Sequence, residues 1–292
     1  MTGRAAAEIR VLVTGGSGRL GRMLRAAWSR QPPPGLRPLW QGRGTEAGLR
    51  WDILDAPWPE AAPAPRVVLH LAGVVPGPGA RLADNTALAL AVCRMAAKQG
   101  AAHVFLSSSG AVYGPTPKGA ASEEDPVAPA NDYGRAKFEM EQAALDWRRA
   151  AGPGAPGLTM LRIGNVAGAD ALLAPARDAL VLDDFPGRPG GPLRSYIGPE
   201  TLARLLAGLA RQAAAGATLP ERLNIAAPHP VALADLARAA GLGVTLRPAP
   251  AGAVPRVVLD TARLQALLPV AEGDSDPEEM VAQWRRIGGR NA

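Results

Sequence analysis

The chain has 292 residues, 47% of them hydrophobic, enough to bury a large core as one α/β domain or as a domain with a small lobe. Its net charge of +6 comes from scattered arginines, with Lys98, Lys118 and Lys137 the only lysines; no basic run carries interleaved aromatics, so nucleic-acid binding is not expected. Cys93 stands alone, which excludes an intrachain disulfide, and His70, His103 and His229 lie too far apart for metal-ligand spacing.

Ile9–Thr14 (IRVLVT) is short, apolar and β-branched and predicts a buried strand, with no room before it for a signal peptide. No apolar run is long enough to span a bilayer without charge, so a cytoplasmic protein with no membrane partner is expected. A glycine turn leads into helical spacing over Arg19–Arg30. Leu36–Trp40, the shorter Leu49–Trp51 and Val67–Leu71 predict strands, and Leu82–Lys98 a helix. His103–Ser107 predicts a strand, Asp132–Arg149 a helix with Ala136, Met140, Ala143 and Ala144 on one side, and Leu158–Arg162 a sixth strand. Strands alternating with helices predict an α/β fold with a Rossmann-type, doubly wound parallel sheet.

Past Arg162 the pattern loosens, and Gly and Pro crowd residues 186–192. Pro199–Ala214 predicts a helix with proline in its first turn, and Leu223–Ile225 and Val244–Arg247 predict short strands. The last helix starts with Asp276 as N-cap, Pro277 at N1 and Glu279 reaching back as a capping box.

Gly15, Gly18 and Gly21 stand in Thr14-Gly-Gly-Ser-Gly-Arg-Leu-Gly. With 34 glycines in the chain, this spacing alone recurs by chance about once in two such sequences. Its position, directly after the first strand and opening a helix at Arg19 and Leu20, makes it informative. Bare backbone there lets a pyrophosphate approach, and the helix N-terminus supplies N–H donors and partial positive charge. The expected organisation is an NAD(P)-binding domain over residues 1–168 and a smaller substrate lobe over 169–292 with segments returning to the first. After the second strand, Leu39-Trp40-Gln41-Gly42-Arg43 holds no acid before Glu46. Arg43 is either a surface arginine or a partner for a 2′-phosphate, which tilts the cofactor slightly to NADP over NAD.

Tyr133 and Lys137 stand at i and i+4 on one helix face. A phenol with a pKa near about 10 is a poor base at neutral pH; lowering it by about three units means favouring the phenolate by roughly 4 kcal/mol. A nearby ammonium and a positive nicotinamide ring supply that. The pair is otherwise an exposed helix face with an amphipathic role. Ser107-Ser108-Ser109-Gly110 follows the fifth strand and puts hydroxyls at the C-terminal sheet edge, where one can orient a reacting oxygen or simply end a strand.

Together these residues resemble the extended short-chain dehydrogenase/reductases of the NAD-dependent epimerase/dehydratase family. The resemblance also takes in Asp52-Ile53, His70-Leu71-Ala72-Gly73, Asn85, Pro129, Leu161-Arg162-Ile163-Gly164-Asn165, Leu223-Asn224-Ile225 and Asp260–Arg263. It implies that Ser109, Tyr133 and Lys137 are catalytic. It implies cofactor contacts by Asp52, Ile53, Leu71, Ala72, Gly73 and Asn85, and substrate contacts by Ser108, Ser109, Asn165 and Arg194. The implied reaction is hydride transfer at a secondary alcohol or ketone of a sugar-like substrate, nucleotide sugars included. The alternatives are a non-nucleotide carbonyl compound or sugar acid, and a non-catalytic regulator or assembly protein, against which both Tyr133 and Lys137 speak. A homodimer through the helices Leu82–Lys98 and Asp132–Arg149 is also implied.

Three departures stand out. Arg194-Ser-Tyr-Ile-Gly-Pro199 keeps the family's arginine and aromatic but lacks its acid and histidine. The family's later Arg-x-Gly-Asp element has no counterpart, Arg247 and Arg256 being out of register. Gly110-Ala111 replaces the Asp-Glu of the sugar 4,6-dehydratases, so water elimination is not expected.

Overall fold

The computed structural model describes residues 8–44, 47–116, 119–173, 177–187 and 190–289. Glu46 and Lys118 lie outside them.

The chain opens with β1 (Ile9–Thr14), α1 (Arg19–Arg30), β2 (Leu36–Gly42), β3 (Leu49–Arg50), β4 (Val67–His70), α2 (Asp84–Lys98) and β5 (His103–Ser109). A 3₁₀ turn (Gly110–Val112) follows, then α3 (Asp132–Ala151), β6 (Gly157–Ile163), β7 (Asn165–Val166), β8 (Ala179–Asp184), β9 (Leu193–Ile197) and α4 (Pro199–Ala214). The rest is β10 (Arg222–Ile225), β11 (Pro230–Ala232), α5 (Leu233–Ala239), β12 (Gly243–Pro248), β13 (Arg256–Val257), α6 (Ala262–Leu267) and α7 (Pro277–Arg286).

The alternating pattern builds a seven-stranded sheet in the order β10-β6-β5-β4-β1-β2-β3. β1 pairs in parallel with β2 and β4, and β4 with β5. Val11 to Val13, Val67 to Leu69 and Val104 to Leu106 have no exposed surface, which is why these strands read as continuous apolar runs and not as alternating ones. On one face Leu12, Val68 and Leu106 join Val92 and Ala96 of α2 and Met140 and Ala144 of α3 in a single cluster.

By contacts the chain divides into two units. The first is Met1–Ser108, Ala136–Leu161 and Arg204–Glu221; the second is Ser109–Arg135, Arg162–Ala203 and Arg222–Ala292. The second unit carries small sheets: β9 lies between antiparallel β11 and parallel β13, β7 also pairs with β9, and β12 pairs in parallel with β8. α7 is fastened to the start of α4 by Gln283, whose Oε1 accepts from Glu200 N–H (3.1 Å) and Thr201 N–H (3.0 Å).

The expected capping box at α7 does not form. Asp276 caps the helix, accepting from Glu278 N–H at 3.0 Å. Glu279, however, faces down the helix, accepts from Gln283 Nε2 (3.2 Å) and pairs with Arg286 (2.7 Å). Partners at i+4 and i+7, one of them cationic, outcompete a backbone N–H behind it.

Candidate active site

β1 ends in the glycine turn. Gly15 has φ +72°, and a Cβ there would lie 2.6 Å from the backbone nitrogen of Ala72. A Cβ on Gly21 would lie 2.1 Å from Gly15 O. The turn therefore packs backbone on backbone at both glycines and admits no side chain. Gly18 is the N-cap of α1 and donates its N–H to Gly15 O at 2.9 Å. A bare cradle at a helix N-terminus fits a dinucleotide pyrophosphate. Arg19 is exposed and Leu20 half-buried beside it.

Gln41, near the end of β2, is spent on the scaffold. Its Oε1 accepts from Gly15 N–H (2.9 Å) and its Nε2 donates to Trp51 O (2.5 Å). Arg43 is exposed just past the strand. Asp52 closes a local turn by accepting from Leu54 N–H at 3.2 Å, and Ile53 is buried. Leu71 and Ala72 are half-buried after β4.

Asn85, expected to touch cofactor, clasps the chain beyond β4. Its Oδ1 accepts from Val74 N–H (3.1 Å), and its Nδ2 donates to Val74 O (3.0 Å) and Leu82 O (2.9 Å). A Cβ on Gly73 would sit 2.8 Å from Asn85 Oδ1 and 3.2 Å from Lys137 Nζ. Gly73 is thus the point where the clasp and the lysine meet the backbone.

Lys137, on α3, donates to Ser107 O at 2.9 Å. Burial lowers its pKa to about 8, against the opposing charge of Glu141, so the ammonium persists at neutral pH. Ser108, expected to touch substrate, is buried, and its Oγ donates to the fully buried Glu141 at 2.5 Å. Side chains alternate along a strand, so the hydroxyls of Ser108 and Ser109 leave β5 on opposite faces. His70 is also buried: its Nδ1 shares a 2.7 Å hydrogen bond with Thr14 Oγ1, and burial, then Lys137, lowers its pKa to about 3.

Ser109 accepts from Ala111 N–H at 3.2 Å, capping the 3₁₀ turn, and is hydrogen-bonded with Tyr133. Burial raises the Tyr133 phenol above its usual value, and the Ser109 hydrogen bond opposes it. The lowering by a neighbouring ammonium that the i, i+4 spacing suggested is not among the influences on Tyr133; burial prevails, and the phenol rests in its acid form. The start of α3 is seated tightly: a Cβ on Gly134 would lie 2.5 Å from Ala111 O. Asn131 Oδ1 accepts from Gly134 N–H at 2.9 Å, an N-cap that also lines the cavity described next. An asparagine just before a helical run is the signal in the sequence that marks Asn131.

Within the second unit a cavity of about 290 Å³ is lined by Ser109, Asn131, Asn165 and Arg194 among apolar residues. Arg194 donates to Leu193 O and Val254 O, both at 2.8 Å. The same unit holds a buried polar chain. Arg162 Nη1 donates to Tyr113 Oη (2.8 Å), which donates to Asn224 Oδ1 (2.8 Å), and Asn224 N–H donates to Glu123 (2.8 Å). Burial pushes Tyr113 up to about 12, so it serves as a scaffold and not as a base.

The sequence matches the model of the "NAD dependent epimerase/dehydratase family" over residues 11–180, more than half of the chain. The UDP-glucose 4-epimerase of Azospirillum brasilense is 33% identical over 192 residues, 58% of this chain and 53% of that protein. The matched stretch thus spans about half the length of that curated relative. The Brucella ovis UDP-glucose 4-epimerase in complex with NAD superposes with a TM-score of 0.77 at 22% identity, over 97% of this chain and 99% of that one. The UDP-glucose-4-epimerase of Stenotrophomonas maltophila, with bound NAD and formylated UDP-arabinopyranose, gives 0.75 at 18% identity over 96% and 98%. The NAD-dependent NDP-hexosamine 5,6-dehydratase TunA gives 0.71 at 21% identity over 95% and 98%. At these identities the structural likeness is one of fold.

Proposed function

Because this chain belongs to the NAD dependent epimerase/dehydratase family, we propose that it transfers hydride at a secondary alcohol or ketone of a sugar-like substrate, with Ser109, Tyr133 and Lys137 as its catalytic residues. The observation that carries this reading is the hydrogen bond between Ser109 and Tyr133, at a serine that also lines the cavity, with Lys137 one turn along the same helix. Ser109 hydrogen-bonds the reacting oxygen and fixes it in place. Tyr133 Oη gives a proton to that oxygen in reduction and takes it in oxidation. Lys137, anchored on Ser107 O, stays charged below about pH 8 and holds a ribose hydroxyl of the cofactor. The nicotinamide, when bound, supplies the hydride acceptor and a positive charge that favours the phenolate.

The cofactor in this reading is NAD, held by the glycine turn, the N-terminus of α1 and the loop 71–73. The tilt to NADP drawn from Arg43 finds no support in the relatives whose cofactor is named, which hold NAD. Residues 1–168 supply most of the cofactor site and 169–292 most of the substrate lobe. A cytoplasmic homodimer through α2 and α3 completes the proposal; among the described residues no helix is long and apolar enough to cross a membrane.

The test is Tyr133→Phe. The purified wild type, denatured to release its dinucleotide, is expected to yield NAD, and to interconvert or oxidise a panel of sugars and nucleotide sugars. The variant should retain dinucleotide binding and lose roughly 10²–10⁴-fold in turnover. A variant with undiminished turnover overturns the assignment of Tyr133.

A further inference from the structure

The substrate cavity is served by a single cation. Among the described residues that line its 290 Å³ or so, Arg194 carries the only positive charge, and no Asp or Glu faces it. Two of its five N–H donors go to Leu193 O and Val254 O, which fix the guanidinium before any ligand arrives. Three remain, in the planar fork that suits a carboxylate or phosphate.

The two arginines that might have formed a second clamp are turned elsewhere. On β13, Val257 pairs in register with Arg194 and lines the cavity, whereas Arg256 pairs with Leu193. The neighbouring side chain on a strand faces the other way, and Arg256 Nε donates to Gly119 O at 3.2 Å. Arg247, on β12, is ion-paired with Asp183 of β8 at 3.1 Å. The rest of the wall includes Ile163, Val254, Val257 and Leu259. A second phosphate against this wall would meet only the neutral groups of Ser109, Asn131, Asn165 and Ser195, with no second charge to balance it.

Size points the same way. The volume lies at the bottom of the roughly 300–1,000 Å³ span of ligand pockets and holds one sugar ring.

Resting on the hydride-transfer reading, we propose that the substrate is a polyhydroxylated molecule of monosaccharide size with one anionic group, a carboxylate or a phosphate, gripped by Arg194. In oxidation the carbinol C–H breaks and its electron pair leaves as hydride to NAD. The O–H proton goes to Tyr133 as the phenolate that the bound cofactor's positive charge favours, and the carbon becomes a carbonyl.

The test is calorimetric titration of the wild type, in saturating NAD, with the hexuronates glucuronate and galacturonate, with galactose 6-phosphate, with UDP-galactose and with neutral galactose. A single-anion sugar is expected to bind at least ten-fold tighter than galactose and no weaker than UDP-galactose. The arm that binds assigns the anion as carboxylate or phosphate. Arg194→Gln should lose that preference, and Arg194→Lys, which keeps the charge without the fork, should recover part of it. UDP-galactose binding ten-fold tighter than every single-anion sugar overturns the proposal, as does no preference of any of them over galactose. These wild-type titrations decide it even if the Arg194→Gln protein does not fold. A sugar that binds through Arg194 but never yields NADH leaves this assignment standing and removes the hydride-transfer reading.

Discussion

Ser108 and Ser109 are neighbours on β5 whose hydroxyls serve different partners: Ser108 donates to the buried Glu141 at 2.5 Å, and Ser109 is hydrogen-bonded with Tyr133. One holds the interior together and the other lines the cavity of the second unit. Ser108→Ala strips a buried carboxylate of a donor and is expected to lower stability by about 1–3 kcal/mol, with KM unchanged. Ser109→Ala is expected to lower stability by about 1 kcal/mol, the loss of its cap, and to lower kcat roughly 10²-fold. Urea titration and steady-state kinetics on both variants separate the two; a raised KM in a stable Ser108→Ala protein would return that serine to the substrate.

Gly73 stands against both Asn85 and Lys137. Its Cβ, if present, would approach Asn85 Oδ1 to 2.8 Å and Lys137 Nζ to 3.2 Å. Gly73→Ala should therefore displace the lysine head or loosen the clasp, and weaken NAD binding ten-fold or more while the far-ultraviolet spectrum stays unchanged. Cofactor titration by fluorescence reads this directly, and wild-type affinity in the variant would show that the loop yields freely.

Two buried histidines give the fold an acid limit. Burial lowers His70 to about 3 and His103 to about 4, from the usual 6.5. Below 6.5 the unfolded chain binds protons that the folded chain refuses. Stability is therefore full above about pH 6.5 and falls as the pH drops towards 4, by about 1.4 kcal/mol per pH unit for each histidine. His103→Gln should shed about half of the histidine-dependent slope between pH 6.5 and 4.5. Equal slopes in both proteins would mean that His103 titrates normally.

Arg43 is the residue on which the cofactor choice turned in the sequence. It is exposed beyond β2, while Gln41 is occupied with Gly15 and Trp51. Arg43→Ala is expected to change NAD affinity less than two-fold. A loss of ten-fold or more for NADP, with NADP the tighter ligand in the wild type, would restore the 2′-phosphate reading.

The large sheet was legible because its strands are buried on both faces, so apolar runs such as Val67–His70 announce themselves without reference to partners. The second unit was legible only in part: Leu223–Ile225, Val244–Arg247 and the last helix form as β10, β12 and α7, but β9 and β13 went unread. β9 reads Leu-Arg-Ser-Tyr-Ile, and β13 is two residues long. Such strands exist only through distant pairing, which no local pattern reveals. The same holds for the site. Tyr133 and Lys137 were found because their spacing is itself the geometry. That Asn85 fastens a loop, and that Glu279 prefers Arg286 to its own N-cap, depended on neighbours that the linear chain does not display.

The pairing of β13 with β9 turns the count of charges in the cavity into a question of odd and even. Val257 stands opposite Arg194 and Arg256 opposite Leu193. A one-residue slip inverts every side chain of a strand. Deleting a single residue from the turn between Pro248 and Pro255, if β13 slid by one place, would exchange an aliphatic wall for a second guanidinium. A lineage could thus gain or lose a second positive charge in this cavity through an indel alone, without a single point substitution.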